Sequence, residues 1–204
     1  SQISTGKKQD KFGVTEKYFL ELVKYAKNSQ FIKLKCISVH IGSQILNHQP
    51  YEKMLKAVDR VIKKTNYKFE FIDLGGGMGI PYSKKVKNLN YKKYTAAIKK
   101  VLKKYKTKII FEPGRSIIGN TGILVSKVIY IKQGSNKNFV ILDAAMNDLM
   151  RPALYDAEHE IISESKNNQL TNKTYEFVGP ICESTDKFLT AKKFQKLHEK
   201  DLII

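Results

Sequence analysis

Five stretches of the chain carry residue types that can do chemistry: HIGSQ at 40–44, GGGMG at 75–79, EPGR at 112–115, MRPALY at 150–155 and GPICESTD at 179–186. Gly75, Gly76 and Gly77 form a backbone without Cβ atoms. Successive N–H groups there can turn toward one anion and let it approach, as a phosphate requires, although a tight strand-to-loop turn uses the same residues. No Lys-Ser/Thr pair follows, and the spacing is not the dinucleotide fingerprint, so neither common nucleotide loop is present. Glu112 closes an apolar stretch and is expected to be a partly buried carboxylate needing a proton donor or a cation, which Arg115 could supply. His40 closes another apolar stretch beside Gly42 and Ser43; it is either a satisfied core residue or a catalytic imidazole. Arg151 and Tyr155, four apart, share one face of a helical turn and together make a carboxylate receptor, unless they are a surface Arg and a packed Tyr. Cys182 and Glu183 lie between Gly179–Pro180 and Asp186, a loop setting that keeps a thiol accessible.

The elements that must position these groups follow from periodicity. Residues Thr15 to Lys27 carry Phe19, Leu22, Val23 and Ala26 at helical spacing. A second helix follows Pro50 with Met54, Leu55, Val58, Val61 and Ile62 on one face, and a third, Tyr91 to Tyr105, has a stripe of Tyr94, Ile98, Val101 and Leu102. Between them lie apolar runs of strand length, Leu34 to His40, Phe69 to Leu74 and TKIIFE ending at Glu112. The strand ends are separated by 34 and 38 residues, the size of a βα repeat, so the strands are expected to be parallel. HIGSQ, GGGMG and EPGR then all follow C-terminal strand ends, the edge where parallel α/β proteins build their sites. After Gly122 the β-branched runs ILVSKVIYIK, NFVILDA and KTYEFVG predict a β region without comparable helices. The expected division is a βα domain over 1–122 and the start of a β domain over 123–204.

Composition bounds the function. The 204 residues, 42% hydrophobic with 10 Phe and 11 Tyr, exclude disorder. The net charge of +18 raises the question of nucleic acid, but Arg60, Arg115 and Arg151 are the only arginines among 37 cations. Lysines spread through every segment read as compositional drift, because a nucleic-acid reader favours the arginine fork and stacked aromatics. No apolar run approaches the roughly 18–20 residues of a bilayer span, and SQISTGKKQD contains no secretory apolar block. A cytoplasmic protein with no membrane and no nucleic-acid partner is expected. Cys36 and Cys182 are too few for a disulfide framework.

Taken together, HIGSQI, DLGGGMGIPY, EPGRSIIGNTG, DAAMNDLMRPALYDAEHEI and GPICESTD resemble the diaminopimelate decarboxylases, a branch of the fold-type III pyridoxal-phosphate-dependent decarboxylases, from about Lys11 to Phe188. The resemblance implies an α/β fold: part of an alanine-racemase-type (β/α)8 barrel, 1–122 being its C-terminal half, followed by an incomplete C-terminal β domain. It implies a homodimer with the active site shared across the interface, and decarboxylation of meso-2,6-diaminopimelate to L-lysine and CO2 at the end of lysine biosynthesis. It also assigns roles. Gly75, Gly76, Gly77 and Ser43 would hold the pyridoxal 5'-phosphate phosphate, His40 would stack on its ring, and Glu112 would keep the ring nitrogen protonated. Arg115, Arg151 and Tyr155 would grip the substrate carboxylate and Glu183 the distal ammonium, while Cys182, reaching from the partner subunit, would serve proton delivery. No metal is implied.

The family's Schiff-base lysine lies on the first barrel strand, and no lysine here stands in a matching motif. Only about three βα units are visible where a closed barrel has eight. The expectation is therefore an internal piece of a protein about twice as long, inactive alone and folding poorly because strand edges are unpaired. Alternatives are a related decarboxylase of arginine, ornithine or carboxynorspermidine, a non-catalytic cofactor-binding protein, and a basic nucleic-acid binder.

Overall fold

A computed structural model describes residues 11–83, 86–164 and 169–204. Two compact units are formed: Ser1–Pro81 with Lys87–Thr121, and Tyr82–Val86 with Gly122–Ile204.

In the first unit, α1 (Glu16–Asn28) starts at Thr15, whose hydroxyl oxygen accepts from the Tyr18 N–H. Helix α2 (Gln49–Thr65) has Pro50 in its first turn and ends at Asn66 in the left-handed conformation. The remaining elements are β1 (Cys36–Ser38), β2 (Phe71–Asp73), α3 (Tyr91–Tyr105), β3 (Lys108–Ile110) and the single turn α4 (Arg115–Ile118). The three strands form a parallel sheet in the order β1-β2-β3, with Ile37 opposite Ile72 and Ile72 opposite Ile109. Around that row pack Val23 of α1, Tyr51, Met54, Leu55, Val58 and Ile62 of α2, and Tyr94, Ile98 and Val101 of α3. The helical stripes are thus as the periodicity predicts, with two exceptions. Leu22 sits on the flank of α1 and is exposed, and the side chain of Leu102 lies outside the described residues.

The strands are shorter than the apolar runs. Ser38 Oγ donates to Asp73 Oδ2 (2.9 Å) and Gly75 N–H to Asp73 Oδ1 (2.9 Å), so the chain turns out of the ladder directly after Asp73. β3 differs further from expectation: Ile110 and Phe111 are exposed, and so is Glu112, which is not the partly buried carboxylate expected from an apolar strand end. On the helical layer, Glu16 of α1 pairs with Arg60 (3.1 Å) and Lys64 (2.6 Å) of α2. Asp59 of α2 binds Lys104 and the Tyr105 hydroxyl of α3.

The second unit is a sheet in the order β7-β6-β5-β4-β8, made of β4 (Ser126–Lys132), β5 (Lys137–Leu142), β6 (Thr174–Val178), β7 (Lys187–Ala191) and β8 (Leu202–Ile203). All neighbours are antiparallel except β5 and β6, whose connection contains α5 (Arg151–Tyr155). The core is Val128, Val140, Leu142, Tyr175, Phe177, Leu197 and Ile203. Near the end of the chain, Leu202 and Ile203 supply β8 as a strand on the edge of β4. Among the described residues, no helix is long and apolar enough to cross a membrane, and no His, Cys, Asp or Glu cluster could hold a metal ion.

Candidate active site

The loops leaving β1, β2 and β3 meet through their main chains. Val39 N–H donates to the Asp73 carbonyl (3.0 Å), Glu112 N–H to the Gly75 carbonyl (2.9 Å) and Ile45 N–H to the Gly77 carbonyl (2.9 Å). Glycine is what permits this closeness. A Cβ on Gly76 would lie 2.1 Å from the Glu112 carbonyl oxygen, and one on Gly77 2.2 Å from that of Gly42. Gly77 also needs its φ of +87°. His40, the glycine run and Glu112 therefore share one rim, with Ser43 half-buried in the first loop.

The glycine amides do not act as a set aimed at one anion. Gly75 gives its N–H to Asp73 and Gly76 gives its N–H to His40 Nδ1 (3.3 Å); only the Gly77 amide lacks an acceptor among the described residues. The run is mainly a junction where three loops pack backbone to backbone. Because His40 Nδ1 accepts, the proton of the neutral ring sits on Nε2. The imidazole is exposed, not a core residue.

Three supporting residues escaped sequence reasoning. Asp73 is buried and caps the loop as an Asx turn, readable in retrospect from an Asp two residues before Gly75 at a strand end. Tyr51 is fully buried on α2 and donates to the Gly76 carbonyl (3.2 Å), with burial pushing its phenol far above the usual range. Gln44 accepts from Arg115 Nη1 (3.0 Å) and donates to the Ile80 carbonyl (2.5 Å). Arg115 is thus anchored on Gln44, and the alternative of an Arg115–Glu112 pair does not form.

In the second unit, Arg151 opens α5 and Tyr155 closes it. The roles of the suspected surface Arg and packed Tyr are reversed. Arg151 is half-buried, its Cζ stands 5.1 Å from the centre of the Tyr82 ring, and its Nε is buried without an acceptor, whereas Tyr155 is exposed. Tyr82 in turn meets His159 edge to face at 5.0 Å. Nothing local in GIPYS links Tyr82 to a residue 69 positions away, so the sequence alone does not point to it. In the GPICESTD loop, Cys182 and Glu183 are both exposed. One carboxylate oxygen of Glu183 accepts from the Thr185 N–H, the Ser184 hydroxyl and the Thr185 hydroxyl, each at 3.2 Å. The Thr185 amide, then the two hydroxyls, hold this carboxyl below its usual range, so it stays anionic and keeps a second oxygen for a cation.

Against this geometry, the family model for the pyridoxal-dependent decarboxylase, C-terminal sheet domain, matches residues 14–204. The diaminopimelate decarboxylase of Helicobacter pylori is 39% identical over 98% of this chain and 50% of its own length. That of Neisseria meningitidis serogroup B is 42% identical over 99% and 49%. Among solved structures, H. pylori diaminopimelate decarboxylase complexed with L-lysine superimposes with a TM-score of 0.88 at 38% identity, covering 99% of this chain and 50% of that one. The M. jannaschii enzyme in co-complex with L-lysine gives 0.86 at 34%, covering 99% and 48%. The chain spans about half the length of the curated relatives it matches. Matched by that family model over residues 14–204, the chain belongs to the pyridoxal-dependent decarboxylase family.

Proposed function

We propose that the complete protein carrying this chain decarboxylates meso-2,6-diaminopimelate to L-lysine and CO2. The observation that carries this reading is Arg151. A half-buried guanidinium with an orphaned Nε, backed by an aromatic face and paired with no described carboxylate, is a costly arrangement unless an outside anion completes it. Diaminopimelate brings a carboxylate far from its reacting centre; ornithine and arginine do not.

The residues of the first rim fit a pyridoxal phosphate. The unclaimed Gly77 amide and Ser43 would hold the phosphate, the exposed His40 ring, pinned by Gly76, would lie against the pyridine, and the exposed Glu112 would accept from the ring nitrogen. When bound, that group supplies an electron sink for the charge left as CO2 departs. Gly75 and Gly76 serve by joining the loops and not by donating to the phosphate. Arg115 is oriented by Gln44, and the family resemblance assigns it, like Arg151 and Tyr155, to the substrate carboxylate. Glu183 takes the distal ammonium, and Cys182 helps move the incoming proton.

In this reading β1, β2 and β3 with their crossover helices are an arc of a (β/α)8 barrel spanning 1–122, and 123–204 begin the C-terminal β domain. The working form is a cytoplasmic homodimer in which Cys182 and Glu183 serve the partner's substrate. The test is CO2 and lysine release from meso-diaminopimelate by the complete protein with pyridoxal phosphate. Arg151→Ala should raise KM about 100-fold with a smaller change in kcat. An unchanged KM, or faster turnover of ornithine or arginine by the parent protein, overturns the substrate assignment.

A further inference from the structure

Asp186 closes the GPICESTD loop and is 3% exposed, yet no described Lys or Arg pairs with it. Its carboxylate is satisfied by main-chain amides from two separate segments. Oδ1 accepts from the Met146 N–H (2.7 Å) in the loop after β5, and Oδ2 from the Ile181 N–H (2.8 Å) in its own loop. Its backbone continues the lock: the Gly179 N–H donates to the Asp186 carbonyl (3.1 Å), and the Asp186 N–H to the Glu183 carbonyl (3.0 Å). Gly179 is shaped to this carboxylate. A Cβ there would meet Asp186 Oδ2 at 2.2 Å and Oδ1 at 2.4 Å, and the three nearest atoms all belong to that side chain.

We propose that Asp186 is a positioning residue, clamping the loop that presents Cys182 and Glu183 to the Met146 segment through a buried carboxylate that only a glycine at 179 admits. The proposal rests on the reading that Cys182 and Glu183 serve the reaction. A carboxylate is needed because both partners are donors; an Asn would have to turn its NH2 group toward one of them. Leaving an amide donor without its buried acceptor frees the segment it belongs to.

The test uses the complete protein with pyridoxal phosphate bound and has two arms. In hydrogen exchange, Asp186→Ala should raise the rates at Met146 and Ile181 together, about tenfold or more, while β5 and β6 amides keep theirs. In kinetics, kcat/KM for diaminopimelate should fall by about tenfold or more with cofactor absorbance retained. Gly179→Ala, which removes no hydrogen-bonding group, should reproduce both effects. Added to Asp186→Ala it should do little further harm, because the three atoms nearest to its methyl group are gone. Asp186→Asn should free one of the two amides and so gives a partial effect even if the alanine variant does not fold. For Asp186→Ala or Gly179→Ala, exchange that changes in one segment only or in neither, kinetics that do not change, or additive penalties would each overturn the clamp; for Asp186→Asn, unchanged exchange at both amides would do so. If the parent protein does not act on diaminopimelate, the substrate reading fails while the exchange arm and the double variant still decide the clamp.

Discussion

The two units hold their chemical groups by opposite means. In the first, three-residue parallel strands end in loops joined main chain to main chain, and the side chains His40 and Glu112 ride on a junction that glycines make possible. In the second, the sheet ladder is longer and mostly antiparallel, and side chains take a larger share in fixing the groups: Arg151 on Tyr82, and Glu183 on the Ser184 and Thr185 hydroxyls together with the Thr185 amide. A site built from backbone resists added volume, because carbonyl groups cannot move aside. A site built from side chains resists loss of a particular group instead.

The sharpest way to break this contrast is Gly76→Ala. With a carbonyl oxygen 2.1 Å from the new methyl group, the variant should lose about 3 kcal/mol or more and its cofactor absorbance. Gly114→Ala, where nothing lies within 4 Å, should stay within about 0.5 kcal/mol. Thermal unfolding of both checks this, and equal melting temperatures would remove the idea of a backbone junction. In the second unit, Tyr82→Phe keeps the aromatic face under the guanidinium and should leave KM nearly unchanged. Tyr82→Ala should raise KM about three- to tenfold with kcat little affected; steady-state kinetics of the pair separates ring from hydroxyl.

The smallest effect concerns pH and the helical layer of the first unit. Lys104, then Tyr105, hold the Asp59 carboxyl far below its ordinary range. A depressed folded-state pKa adds stability that is present above the unfolded value of about 4 and is lost as pH falls through the folded one. Melting temperature should therefore drop on acidification below about pH 4, and Asp59→Asn should flatten that drop by a few degrees, since the site is partly solvated.

Periodicity made much of the fold legible. Thr15 and Pro50 mark the starts of α1 and α2, and the spacing of the strand ends implies the parallel order seen across Ile37, Ile72 and Ile109. What stayed hidden depends on distant atoms. Gly76 looks like a phosphate donor in sequence, and only the Glu112 carbonyl beside it shows why no side chain is allowed. Glu112 reads as buried because IIF precedes it, but β3 has no strand on its outer side among the described residues, so that edge and the strand's end are open to water. β8, two residues long, carries too little pattern to be recognised.

Tyr82 belongs to the second unit, although the chain on either side of it, up to Pro81 and again from Lys87, belongs to the first. The two units are consequently not exchangeable cassettes. A recombination breakpoint or an expression boundary placed near Gly122 would carry Arg151 away without the ring beneath it, leaving an inherited guanidinium on an incomplete platform. Only a polypeptide transmitted through the GIPYS segment and α5 as one reading frame delivers that pair intact, which ties the heredity of the proposed carboxylate receptor to the stretch that also encodes the glycine junction.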